Sequence, residues 1–414
     1  MRWAHLFISL VMAGSLAACG GGGDTAAVAA VTTPVVTSTG VASTPTTPVT
    51  TPVTTPVTTT VLNVATVLTL DLNDLFNYAQ PALPAYYDAG VAGTDNSPPG
   101  GVSNAAATLG RVLFYDKQLS INNTISCASC HQQAQGFGDT SRFSVGFAGN
   151  AFTTAHSMRL GNVRYWRPGS MFWDRRAASV EAQASQPIQH PVEMGFDATN
   201  GGIAALLVRM QTLPYYAELF TFAFGSPLPT EARIQSALAQ FERAMVSTNS
   251  RWDEGYAQTF NPAQNNNGLN TAIPTFTAQE NRGRQLFMGN NNQGGLNCAA
   301  CHQPPTFALN ANSRSNGLDA GETTLFKSPS LKNVALSGAF MHDGRFSTLE
   351  QVVEHYNSGV REGPALDNRL RGGNNQPRVL NLPESDKAAL VAFLRTLSDA
   401  TLNADPKFSS PFKP

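Results

Sequence analysis

Apolar residues recur every three or four positions in three stretches of the chain. In TEARIQSALAQFERAMVST, Ile234, Leu238, Phe241 and Met245 fall on one face behind Thr230, so the spacing predicts a helix capped by that threonine. In PESDKAALVAFLRTL, Leu390, Phe393, Leu394 and Leu397 form another stripe. In FSTLEQVVEHYNSG, Ser347 and Glu350 read as a capping box, after which Leu349, Val352, Val353 and Tyr356 share a buried face. No stretch sustains the apolar–polar alternation of a half-buried strand, and Gly, Asn and Pro fill the intervals. The expectation is a mostly α fold with long irregular loops.

The N-terminus breaks this pattern. A short basic head with Arg2 precedes an apolar run from Leu6 to Ala18, then LAAC ending at Cys19. This resembles a bacterial lipoprotein signal peptide over residues 1–18, with Cys19 as the lipid-bearing first residue of the mature chain. Residues 19–63 carry a Thr/Pro/Val repeat, TPTTPVTTPVTTPVTTTV, whose prolines oppose helix and ladder alike. We read them as a disordered tether. The chain is then exported to the periplasmic side and anchored through Cys19, its only membrane contact.

Composition narrows the function. A formal net charge of −1 with 13% charged residues gives no electrostatic case for nucleic acid. Four of the five cysteines sit in two matching motifs, Cys127-Ala-Ser-Cys130-His131 and Cys298-Ala-Ala-Cys301-His302. Each follows a Gly-Arg-x-Leu-Phe segment, beginning at Gly110 and Gly283, so one unit is used twice. Zinc would leave the histidines unexplained, and a thioredoxin-like redox pair needs a βαβ surround that is absent. Haem c accounts for every residue: the thiols add to the vinyl groups and the adjacent histidine ligates iron. The expected architecture is two cytochrome-c-like domains, 64–270 with haem 1 and 271–414 with haem 2.

MFWDRRAASVEAQASQPIQHPVEMGF (Met171 to Phe196), both haem motifs and SPSLKNVALSGAFMHDGRFSTLEQVVEHYNSG (Ser328 to Gly359) together resemble the bacterial di-haem cytochrome c peroxidase and MauG superfamily. The likeness is greatest to its MauG and MbnH side, whose members use peroxide to oxidise residues of a partner protein. The resemblance implies that Gln183, Pro187 and Glu193 line the distal pocket of haem 1, with Glu193 as acid/base, and that Trp173 lies between the haems. It also puts Phe147 where peroxidases carry a removable distal histidine, which leaves the iron of haem 1 open. His156 and His190 are the other candidate ligands there. On haem 2 it puts Tyr356 at the distal iron position, with Met341 as the rival. Where relatives bind calcium through an asparagine, TAHSM carries His156, so the calcium expectation is weak.

The implied activity is a peroxide-dependent di-haem oxidoreductase acting on hydrogen peroxide and an oxidisable partner protein. Two alternatives remain open. One is a peroxide-detoxifying cytochrome c peroxidase fed by small cytochromes; the other is a non-catalytic di-haem electron carrier.

Overall fold

The computed structural model describes residues 63–290, 294–309, 311 and 313–414. The expected signal peptide, Cys19 and all but the last residue of the Thr/Pro tether lie outside them. Among the described residues helices dominate and extended pairing is limited to isolated bridges, as the periodicity predicts. No described helix is long and apolar enough to cross a membrane.

Six helices carry the architecture: α1 (Asn104–Tyr115), α2 (Val180–Ala184), α3 (Glu231–Ala244), α4 (Ala278–Met288), α5 (Leu349–Glu354) and α6 (Glu384–Arg395). The Gly-Arg-x-Leu-Phe repeat lies within α1 and α4. A Cβ on Gly110 would stand 2.0 Å from the Ala237 carbonyl oxygen, and one on Gly283 would stand 1.9 Å from that of Ala389. Only glycine lets α1 cross α3, and α4 cross α6, with backbones in contact. The following Leu and Phe then enter two cores. Leu113 and Phe114 join Phe241 and Met245 in the first, while Leu286 and Phe287 join Phe393 and Leu397 in the second. The arginines do matching work: Arg111 donates to the carbonyls of Ser409 and Pro406, and Arg284 to those of Leu269 and Asn270.

The two cores borrow from each other's half of the sequence. Phe408 packs on Phe241 and Tyr78 in the first core, and Trp252 packs on Phe307 in the second.

The repeat extends further than the sequence reading took it. Each haem motif opens a loop closed by a bridge, Gln132 with Gly138 and Gln303 with Ala308. Asn162 and Asn333, at φ 63° and 62°, each start a 3₁₀ turn. A second pair of bridges, Met171 with Ala177 and Phe340 with Phe346, precedes helices capped by Ser179 and Thr348. Counting from these bridges, Met341 stands where Phe172 does, His342 where Trp173 does, and Tyr356 where Pro187 does. Phe172 and Met341 even share the left-handed conformation, at φ 66° and 73°.

One local expectation is corrected. The capping box of α5 is Thr348 with Gln351, one residue beyond Ser347 and Glu350. FSTLEQ offers two overlapping boxes. Thr348 has the extended backbone (φ −138°, ψ 154°) that brings its hydroxyl over the Gln351 N–H at 3.2 Å, and the Gln351 side chain reaches back as Glu would. The helix also stops at Glu354, and Tyr356 lies in a π-helical turn, His355–Gly359. Such turns favour functional positions.

Candidate active site

Each Cys-x-x-Cys-His motif opens onto its own cavity. Cys127, Cys130 and His131 line the first, and Cys298, Cys301 and His302 the second. Each leaves about 1760 Å³ between its walls, solvent mouth included.

The histidines are prepared as ligands. His131 Nδ1 lies 3.0 Å from the Phe137 carbonyl and His302 Nδ1 lies 3.4 Å from Ser328 Oγ. An occupied Nδ1 leaves Nε2 as the ligating nitrogen. Burial lowers the pKa of both, His302 to about 4, so each imidazole is neutral, the form that binds metal. Burial likewise raises the free Cys130 thiol to about 11 and the free Cys298 thiol to about 12.

Arg159 tests the fit of haem most directly. It lines both cavities, its Nε is buried with no hydrogen-bond partner, and burial pulls its pKa down to about 10. A buried guanidinium without a counter-charge is costly. The propionate carboxylates of a haem would supply an anion of the kind Arg159 lacks, so the residues present fit the group.

Gln183, Pro187 and Glu193 come together on the wall of the first cavity, with His190 and Met194. Gln183 sits in α2, fixed by the Ser179 cap at 3.1 Å from the Ala182 N–H. Burial raises the Glu193 pKa, against the opposing pull of His190 and Arg176. His190 Nδ1 accepts from the Val192 and Glu193 N–H groups, each at 3.2 Å, and stands 3.8 Å from Glu193 Oε1. Phe147 is not part of the cavity wall. Its N–H donates to the Glu193 carbonyl at 3.0 Å, and a Cβ on Gly195 (φ +82°) would stand 2.6 Å from its ring, so Phe147 packs beneath the turn that carries Glu193. His156 has both ring nitrogens engaged, Nδ1 at 3.1 Å from the Ser141 carbonyl and Nε2 at 3.3 Å from Ser337 Oγ, which weakens it as an iron or calcium ligand.

Trp173 lines both cavities. Its Nε1 donates to the His156 carbonyl and its own carbonyl accepts from Lys327 N–H, both at 2.7 Å. The indole is therefore a fixed part of the wall the cavities share.

Tyr356 and Met341 both reach the second cavity. Asn316 Nδ2 stands between them, 3.3 Å from Met341 Sδ and 3.5 Å from Tyr356 Oη. Burial raises the phenol to about 12. Met341 owes its strained backbone to the repeated turn it shares with Phe172, so that strain does not mark it as a ligand.

Sequence reasoning missed Arg159, Asn316 and Lys327. The pairing of RLGNV with SLKNV around Asn162 and Asn333 marks the segment bearing Arg159, but it is too short to stand out without the fold, and Lys327 lies outside it. Asp319, Glu322 and His342 also gather, with ligand atoms within 4.8 Å of one another. Arg345 already pairs with Asp319 at 2.7 Å, and the His342 ring stacks on Phe326 at 4.0 Å.

Two thiol pairs and two neutral imidazoles on cavities that share an indole wall define a c-type redox protein with two haems. The chain belongs to the di-haem cytochrome c peroxidase family, whose model matches residues 104–260 and 277–399. It is 33% identical over 306 residues to methylamine utilization protein MauG of Methylorubrum extorquens, covering 70% of this chain and 77% of that one. It is 31% identical over 331 residues to cytochrome c551 peroxidase of Nitrosomonas europaea, covering 74% and 83%. The fold matches the crystal structure of a MauG-like protein associated with microbial copper homeostasis, with TM-score 0.62 and 30% identity over 82% of this chain and 98% of that one. The protein is a peroxide-dependent di-haem oxidoreductase with a redox partner.

Proposed function

We propose that the chain oxidises residues of a partner protein, using hydrogen peroxide at the first cavity. Cys127 and Cys130 hold haem 1 covalently with His131 as ligand, and Cys298, Cys301 and His302 hold haem 2. When bound, the haems supply the iron at which peroxide is reduced and the oxidising equivalents are stored.

The side chains around that iron handle protons and position. Glu193 takes the proton from one peroxide oxygen and returns it to the departing one, which becomes water. Burial supports this role, because a carboxyl with a raised pKa can both accept and donate. Gln183 orients peroxide or water by hydrogen bonding. Pro187, on the same wall, has no side-chain atom that could ligate iron and so would leave it open to peroxide. Trp173 carries charge between the cavities. Tyr356 ligates the second iron as an anionic oxygen donor, favouring its oxidised forms, where Met341 would favour the reduced one.

One observation carries the reading. At equivalent places of the repeat, a proline, Pro187, lines the first cavity with Gln183 and Glu193, and a tyrosine, Tyr356, lines the second. A pair of ligated carriers has no use for that asymmetry. The partner is an exported protein bearing an accessible Trp or Tyr, and the chain works on the periplasmic side, held through Cys19. The experiment is a peroxide titration of the two-haem protein with and without reduced cytochrome c. Slow turnover of that donor, with oxidation of exposed Trp or Tyr on an added protein, supports the reading. Fast cytochrome turnover favours the detoxifying peroxidase instead.

A further inference from the structure

Trp173 is not the sole indole on the first cavity. Trp166, 1% exposed, also lines it and donates its Nε1–H to the Ser170 carbonyl at 2.8 Å. An oxidant formed there meets two indoles, and only Trp173 reaches the second cavity as well.

What separates them is Lys327. Its side chain is buried, with Nζ 4.8 Å from the Trp166 ring centroid and 3.4 Å from Met171 Sδ. Trp173 meets the same lysine through the backbone, its carbonyl accepting the Lys327 N–H at 2.7 Å. Burial pulls the pKa of the lysine down to about 7. At pH 6 the ammonium is retained.

Removing one electron from an indole leaves a cation on the ring until Nε1 gives up its proton. Both indoles donate that proton to a peptide carbonyl, a very weak base, so both rings would stay cationic when oxidised. A like charge 4.8 Å away in a dry interior repels such a cation strongly, and the attraction between the ammonium and the neutral ring is lost as well. We propose that Lys327 is a positioning residue that keeps Trp166 reduced and so confines the oxidising equivalents to Trp173. This rests on the reading of Trp173 as the residue that carries charge between the cavities.

Without a donor, the oxidised indole becomes the product. Peroxide takes two electrons and two protons and leaves as two waters. The indole loses two electrons, gains one oxygen from water and releases two protons, so the net change is one hydroxylated tryptophan and one water per peroxide. The test treats the two-haem protein with stoichiometric peroxide at pH 6, with no donor, and maps added oxygen on Trp166 and Trp173 by peptide mass spectrometry. In wild type we expect Trp173 to carry about tenfold more than Trp166 or greater, and Lys327→Met to raise Trp166 by about tenfold. Lys327→Arg, which keeps the charge, should restore the wild-type ratio, and Trp166→Phe added to Lys327→Met should remove the new product. A merely structural lysine would not be rescued by charge alone. Equal modification of both indoles in wild type, or no change of the ratio in Lys327→Met, overturns the inference and leaves the role of Trp173 standing. No modification of either indole overturns both. Should Lys327→Met fail to load haem, the wild-type and Lys327→Arg ratios decide: protection of Trp166 in both supports the inference, and its loss in either contradicts it.

Discussion

Tyr356 occupies, in the second half of the molecule, the place that Pro187 occupies in the first, counted from the bridges Phe340–Phe346 and Met171–Ala177. The same turn and capped helix thus present a side chain with an oxygen donor to one cavity and a side chain with no donor to the other. The proposed division of labour between the two sites rests on this one difference in a repeated unit.

The ligand assignment is testable by exchange. Tyr356→Met should convert the second haem to a thioether-ligated centre of higher potential, seen as a shift to a low-spin absorption and EPR spectrum and as easier reduction in a redox titration. Met341→Leu should leave the resting signature of that haem in place. The opposite pattern assigns the iron to Met341.

Glu193→Gln keeps the shape of the first cavity and removes its proton carrier. The second-order rate of the peroxide reaction in stopped flow should fall by roughly 10²–10⁴ while the resting spectrum is unchanged. The wild-type rate should rise with pH through the pKa of Glu193, which burial puts above the usual carboxylate range, and the variant should lose that limb. A variant with wild-type rate contradicts the role.

Much of this was legible in the sequence, for physical reasons that differ by element. The stripes from Ile234 and from Leu390 are helical because long apolar periodicity has few alternatives; the helices end at Ala244 and Arg395, and Met245 and Leu397 beyond them are still buried in the two cores. The haem motifs are legible because attachment chemistry demands contiguous residues. The cap of α5 was misread by one residue because FSTLEQ permits two boxes, and only tertiary packing selects between them. Arg159 and Lys327 were invisible because a lone basic residue looks like surface until the fold buries it.

Gly110→Ala and Gly283→Ala test the repeat itself. Each new methyl meets a backbone carbonyl that cannot give way, so each should cost roughly 1–3 kcal/mol or more in denaturant unfolding. Alanine accepted at either site within a few tenths would contradict the close crossing of α1 with α3, or of α4 with α6.

Glu242 sets a pH-dependent limit on stability. Burial raises its pKa from 4.5 to about 8, so folding favours its neutral form. A raised pKa contributes stability that is fully present below the unfolded value near 4.5 and is lost as pH rises through about 8. Wild type should therefore lose on the order of a few kcal/mol across that window from this group alone. Glu242→Gln should flatten the curve, measured as unfolding free energy against pH, and an unchanged slope would contradict the burial.

The central claim is that one iron position stands open while the other is closed. Absorption and EPR spectra of the resting two-haem protein, before and after one equivalent of peroxide, test it most directly. The account requires one five-coordinate or water-bound haem beside one fully ligated haem, with a prompt change on adding peroxide. Two six-coordinate low-spin haems that ignore peroxide would contradict it.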